Sequence, residues 1–259
     1  MAMLNILEDF AIRVDGRQSI DLRKITCKLN CVPTSTGSAL FQQGSTIVRA
    51  AVYGPRQITN PYLIDSSQTK LSSNANEMIV ECHFYNALNQ HSSNQENSCV
   101  ASLIKQSVEA VLLPFGSQRN TRSVLQIDVE LLSSDGSSLA VAINATSMAL
   151  VNAGLPLKDL MCASSAARLR NVVIVDTNRF EESFKPKLIT AVVCPKLKEI
   201  ANVHTTDNLH TSDYEILLKS ALEACDGILC VLEEVIMQHS SLQLTNRSAG
   251  VSIEDTVFA

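Results

Sequence analysis

Between Gln126 and Leu160 the chain reads QIDVELLSSDGSSLAVAINATSMALVNAGLPLKDL, and this stretch limits the possible folds more tightly than any other. It predicts a strand, a turn at Asp135-Gly136, and one helix closed by Gly154 and followed by Pro156. Leu139, Ala142, Ile143, Thr146, Ala149, Leu150 and Ala153 form a helix face rich in small residues, which permits close packing on a sheet. Small polar residues at a helix start leave backbone N–H groups free to hold an anion such as phosphate. Ser137 and Ser138 stand where an arginine would complete such a site, so the segment reads as an anion site without its charged clamp.

A length of 259 residues suits one large domain or two packed lobes with a sizeable core. Hydrophobic residues at 46% and charged residues at 18% are ordinary for a soluble globular chain. The net charge of -5 argues against a generic polyanion binder, whose affinity comes from Lys and Arg facing phosphates. Nucleic-acid contact is therefore expected to be local, or shared with partner subunits. Without a run of about 18 apolar residues no membrane span is expected. The opening MAMLNILEDF carries acids where a signal peptide wants a basic region. Eight scattered cysteines (Cys27, Cys31, Cys82, Cys99, Cys162, Cys194, Cys225, Cys230) form no CxxC. They read as free, buried thiols of a reducing compartment, cytosolic or nuclear, with no metal and no cofactor implied.

Along the chain, Ile25–Cys31, Ser38–Phe41 and Thr46–Val52 predict a β-meander, with turns at Gly37 and Gly44-Ser45 and an end at Gly54-Pro55. Asn60–Asn76 reads as a polar loop, and Met78–Tyr85 as a strand with Met78, Val80, Cys82 and Phe84 on one face. A second polar stretch, Asn86–Asn97, precedes a helix over Cys99–Leu113 that stops at Pro114. Beyond the central segment, Asn171–Asp176 and Leu188–Val193 predict two strands separated by a charged segment. A long helix begins at Ser212 with the capping box Ser212-Asp213-Tyr214-Glu215 and continues to about Met237. Within it, Gly227 costs about 1 kcal/mol relative to Ala. The order implies an α+β architecture of two sheet-and-helix lobes, 1–157 and 158–239, the second a smaller repetition of the first. Residues 240–259 are expected to be a mobile C-terminal tail.

RVDGR (Arg13 to Arg17), GSALFQQGSTIVRAAVYGP (Gly37 to Pro55) and the Gln126–Leu160 segment together resemble the RNase PH family. The likeness runs from about Arg13 to Met237. Within the family it is similar to eukaryotic RNA exosome core ring subunits, of the type whose archaeal counterpart carries the phosphorolytic site. The resemblance implies the RNase PH-like fold (ribosomal protein S5 domain 2-like). Active members cleave RNA from the 3′ end with inorganic phosphate, chemistry that rests on positioning and charge neutralisation.

Three elements of that chemistry are depleted here. The phosphate-holding motif is Gly-Ser/Thr-Arg: Gly136 and Ser137 match it, but Ser138 replaces an arginine whose planar fork binds phosphate bidentately. Losing one such donor costs ~3 kcal/mol of transition-state binding. The acid pair six positions apart falls on Glu182 and Leu188, and leucine neither transfers a proton nor binds a cation. The EES…PKL spelling around these positions is nonetheless similar to eukaryotic ring subunits. The basic cluster before the Cys99 helix corresponds to NALNQHSSNQENS, which holds His91 and no Arg or Lys.

The resemblance therefore implies a non-catalytic structural subunit of an exosome ring, supporting 3′-to-5′ RNA degradation and rRNA and mRNA processing. Its expected partners are other RNase PH-like subunits in a hexameric ring, cap subunits, a separate hydrolytic nuclease, and single-stranded RNA in the channel. The expected location is the nucleus, nucleolus included, and the cytoplasm. The alternative is a diverged but active phosphate-dependent 3′-5′ exoribonuclease that uses Glu182 with Asp176 and borrows arginines from a partner.

Individual residues are open to plainer readings. Arg13 and Arg17 fit contact with a neighbouring subunit or RNA, and equally a solvated turn held by Asp15. Arg56, Arg119 and Arg122 are candidates for RNA contact, with exposed charge of no special role the favoured reading for each. Asp176, Glu181 and Glu182 suit acid catalysis or a metal, but a solvated loop is favoured. The five histidines are unclustered, and His204 and His210 read as lining a polar loop.

Overall fold

The computed structural model describes residues 13, 15–57, 78–88, 94–113, 123–169, 172–206 and 209–248. Strands β1 (Ile25–Leu29), β2 (Gly37–Gln43) and β3 (Thr46–Gln57) form the expected antiparallel meander. To it are added β5 (Ser123–Ser133), antiparallel to β3, and β4 (Ile79–Asn86), parallel to β5 at the edge, giving the order β1-β2-β3-β5-β4. In β5, Leu125, Ile127, Val129 and Leu131 are buried while the residues between them are half-buried, the alternation of a sheet with one covered face.

A second, fully antiparallel sheet has the order β7-β6-β8-β9, from β6 (Cys162–Leu169), β7 (Val172–Val175), β8 (Lys187–Cys194) and β9 (Glu199–Thr205). Among the described residues four helices complete the fold: α1 (Asn94–Val111), α2 (Ser138–Asn152), the single turn α3 (Arg179–Glu182) and α4 (Thr211–Ser248). None of the described helices is long and apolar enough to cross a membrane.

The sequence pattern missed β6 and β9. The first is CASSAARL, which lacks branched and aromatic strand formers and is buried along nearly its whole length between α2 and α4. Helix α1 starts at Asn94 rather than Cys99, because its first turns are polar and exposed and carry no apolar period.

Helix α4 is capped differently from the expected box. His210 O accepts from the backbone N–H groups of Asp213 and Tyr214, both at 3.0 Å, and Ser212 Oγ lies 3.2 Å from His210 Nδ1. The reciprocal capping box occurs instead at α3, between Asn178 and Glu181. Helix α4 also runs past Met237, so residues 240–248 are helix rather than tail; residues 249–259 lie outside those described. Met237, Leu242 and Leu244 are exposed there, and without a core to face the apolar period disappears.

Helix α2 differs from the one-faced helix expected. Every residue from Ala140 to Leu150 is buried, because α2 lies between the sheets, against β2 and β3 on one side and β6 and β8 on the other. Its polar residues serve as partners for β6: Asn144 Nδ2 donates to Ala163 O (2.9 Å) and Oδ1 accepts from Ala163 N (2.7 Å). The sheets therefore share one continuous hydrophobic core. At Gly37, which opens β2, an added Cβ would lie 2.3 Å from Ala153 N and 2.6 Å from Ala149 O, so only glycine admits the end of α2 this close.

Buried arginines lock the chain's first described residues onto the second sheet. Arg13 donates from Nε to Glu181 Oε1 (2.7 Å), pairs through Nη2 with Glu181 Oε2, and donates to the carbonyls of Val175 (2.6 Å) and Asp176 (2.8 Å). Arg23 grips Asp176 through Nε (3.0 Å) and Nη2 (2.6 Å), while Arg23 N donates to Asp176 Oδ2 (2.8 Å). The same guanidinium reaches Asp135 O at 2.7 Å, tying the central turn to this knot.

These contacts correct two expectations. Arg13 is neither solvated nor available to a neighbour, although Arg17 does pair with Asp15 at 2.7 Å as a turn-stabilising contact would. Asp176 and Glu181 are 1% and 2% exposed and form internal ion pairs rather than a solvated loop.

Two outcomes follow for stability. Gly37→Ala should cost about 1–3 kcal/mol through overpacking, read as a lower urea midpoint at unchanged slope. Burial alone would push the Asp176 carboxyl up, but hydrogen bonds and charge from Arg23 hold it below the usual carboxylate range. A carboxyl lowered in the folded state stabilises fully above its unfolded value of about 4, and that contribution is lost as pH falls through the lowered value. Asp176→Asn, which strands Arg23, should cost about 3–5 kcal/mol at pH 7. Its stability deficit, measured by denaturant titration at several pH values, should shrink below pH 4.

Candidate functional site

The central turn is held from beneath. Gly136 adopts φ +86°, and a Cβ there would lie 2.4 Å from Thr177 O and 2.6 Å from Asn178 C. The turn before α2 is thus pressed against the backbone that leads into α3. Ser137 follows with φ 52°, a left-handed value, and its hydroxyl turns inward. Ser137 Oγ donates to Thr177 O (2.9 Å) and lies 2.6 Å from Ser165 Oγ.

The amide at this helix start already has an anion. Ser137 N donates to Glu182 Oε1 at 2.8 Å, and Thr177 Oγ1 donates to the same oxygen at 3.0 Å. A carboxylate near a helix N-terminus is favoured by the free N–H groups and the helix dipole. Glu182 therefore supplies internally what an external phosphate would supply at this amide, and it is not the solvated acid expected of it.

Above the turn lies a cleft of about 510 Å³. Ser137, Ser138 and Leu139 form one wall at the start of α2, with Glu182 and Lys185 beside them. Leu188 and Thr190 on β8 and His204 on β9 form the floor, and Glu96, Cys99 and Leu103 of α1 close the opposite side. Ser137, Ser138, Glu182 and Leu188, far apart in sequence, thus meet in one cavity. Asp176 does not join them, because Arg23 holds it in the knot described above. Arg56 is exposed at the end of β3, its guanidinium carbon 5.7 Å from the centre of the Tyr53 ring, and lies outside the cleft lining. Arg119, Arg122 and His91 fall outside the described residues.

Sequence reasoning missed several cleft residues. His204 is a strand residue paired with Thr190 rather than part of a polar loop, a consequence of β9 having gone unrecognised. Glu96 enters because α1 begins early, Cys99 from the start of the helix as predicted, and Lys185 because the segment after α3 folds back with φ 50° at that residue. The charged groups among the described lining residues are Glu96 and Glu182 against Lys185, with no arginine. Such a lining disfavours a multivalent anion, and Leu188 adds an apolar floor where an acid would bind a cation or move a proton. Among the described residues no three His, Cys, Asp or Glu side chains are grouped to hold a metal. Burial pushes the thiols of Cys27, Cys82 and Cys225 up to about 12, which makes them inert rather than nucleophilic.

Comparison with known proteins bears on this geometry. The chain is 30% identical to exosome complex component RRP41 of Mus musculus, over 98% of this chain and 100% of the relative. Among solved structures it superposes on rice (Oryza sativa) Rrp46 with a TM-score of 0.71 and 29% identity, covering 85% of this chain and 98% of that one. An Archaeoglobus fulgidus exosome with RNA bound to the active site gives a TM-score of 0.74 at 18% identity, over 88% of this chain and 94% of that one, a likeness of fold. Residues 21–156 match the RNase PH family model, described as the 3′ exoribonuclease family, domain 1. With more than half of its length matched, and with a relative that spans nearly all of it, the chain belongs to the RNase PH family.

Proposed function

We propose that this chain is a non-catalytic, structural subunit of an RNA exosome ring, supporting 3′-to-5′ RNA degradation and processing by the whole complex. One observation carries the reading: the helix-start amide is held by the protein's own Glu182, in a cleft whose second acid position is Leu188. Similarity to RRP41-type exosome components over nearly the full chain supports the assignment to a ring. Its partners are then other RNase PH-like subunits in a six-membered ring, cap subunits, a separate hydrolytic nuclease and single-stranded RNA. The working location is the nucleus, nucleolus included, and the cytoplasm. The family match over residues 21–156 supports treating 1–157 as one lobe and the second sheet with α4 as the other.

The active-enzyme alternative needs Asp176 as an acid beside Glu182. The Arg23–Asp176 pair withholds that carboxylate, so the geometry favours the structural reading. The test is incubation of the purified chain, alone and mixed with its ring partners, with inorganic phosphate and single-stranded RNA. No phosphate-dependent release of nucleoside diphosphates attributable to this chain is expected. Release that depends on phosphate and is abolished by Glu182→Gln would overturn the proposal.

A further inference from the structure

A second cleft, of about 520 Å³, opens next to the first, with Lys185 and Pro186 lining both. Its charge is of the opposite sign. Arg168, Lys185 and Lys187 line it against one acid, Asp213, whereas the first cleft sets Lys185 against Glu96 and Glu182. Asp213 accepts from Arg168 Nη1 and, at 3.1 Å, from Lys187 Nζ. Among the described lining residues one carboxylate faces three cations, and Lys185 is the cation that Asp213 does not engage, on a chain whose net charge is -5.

The wall of this cleft is aromatic. Phe184 lines it at 42% exposure, and Phe180, 44% exposed, stands edge-on to Phe184 with ring centroids 5.1 Å apart. Two exposed phenylalanines on a single-turn helix and the residues after it contribute little to the core. Bare rings beside cations present a stacking face next to phosphate-binding charge, the combination that holds single-stranded nucleic acid without sequence preference.

We infer that this cleft is a contact site for single-stranded RNA, with a base on Phe184 and backbone phosphates on Lys185 and Lys187. The site lies outside the relic phosphate cleft and needs none of its residues except the shared Lys185. It deepens the ring-subunit reading by assigning an RNA contact to this chain, yet it stands or falls separately, since binding here requires no phosphorolysis. An acidic protein segment would match the charge as well, but a flat exposed ring directly beside Lys185 suits a stacked base with its own phosphate, and the assembly measurement below separates the two.

The test uses the full-length chain and a fluorescently labelled oligouridine, followed by anisotropy across a salt series. Phe184→Ala should weaken binding about tenfold, and Phe184→Tyr should restore it. Lys185→Asn, chosen because asparagine tolerates the left-handed backbone at this position, should reduce the slope of log affinity against log salt by about 0.7. Lys28→Asn, an exposed charge on β1, is the control for net charge and should change affinity little. Melting temperatures of the variants establish that they fold. Unchanged RNA affinity in Phe184→Ala and Lys185→Asn overturns the proposal. Loss of co-assembly with ring partners at unchanged RNA affinity also overturns it, and marks the face as a protein interface.

Discussion

The ion pair between Arg23 and Asp176 sets where everything else in the molecule sits. Both groups are almost wholly buried, and a charge in that position is tolerable only when paired and fully hydrogen-bonded. Asp176 receives three donors from Arg23, and the same guanidinium reaches the carbonyls of Asp135 and Gly136. One side chain thereby fixes the lead into β1, the turn before α2 and the loop after β7. Arg13 repeats the arrangement one step along, on Glu181. These pairs are stabilising chiefly because breaking them would leave a stranded charge, so they specify geometry more than they add energy.

Packing extends the same logic. A helix buried on all sides between two sheets has no solvent face on which to place polar groups, so each must find a partner inside. Asn144 does so by pairing both ends of its amide with Ala163, acting for β6 as a neighbouring strand would. Small residues along α2, and Gly37 opposite its end, bring the layers together closely enough for one core to span both sheets.

Much of this was legible in the residues themselves. The Asp135-Gly136 turn, the helix after it and its stop at Gly154 were legible because turn and cap chemistry is local. The first three strands were legible because Gly37, Gly44-Ser45 and Gly54-Pro55 punctuate the segment between and after them. Strand β6 was not, since CASSAARL owes its conformation to the layers on either side rather than to propensity. The candidate site was half legible: Ser138, Glu182 and Leu188 were picked out by the resemblance to the RNase PH family and do share a cleft. The roles of Arg13 and Asp176 were misjudged, because ion pairs between residues some 160 positions apart leave no trace in a linear pattern.

The carboxylate of Glu182 has a consequence best put as competition. A solute anion seeking the Ser137 amide must displace a group tethered to the same fold, and a tethered group acts at a high effective concentration without diffusing away. An arginine placed at position 138 would add attraction for phosphate while leaving that resident in place. The amide would become available only if the tether were released as well. At this amide, gaining a cation and releasing the tethered carboxylate are separate requirements, and meeting the first alone leaves the site closed.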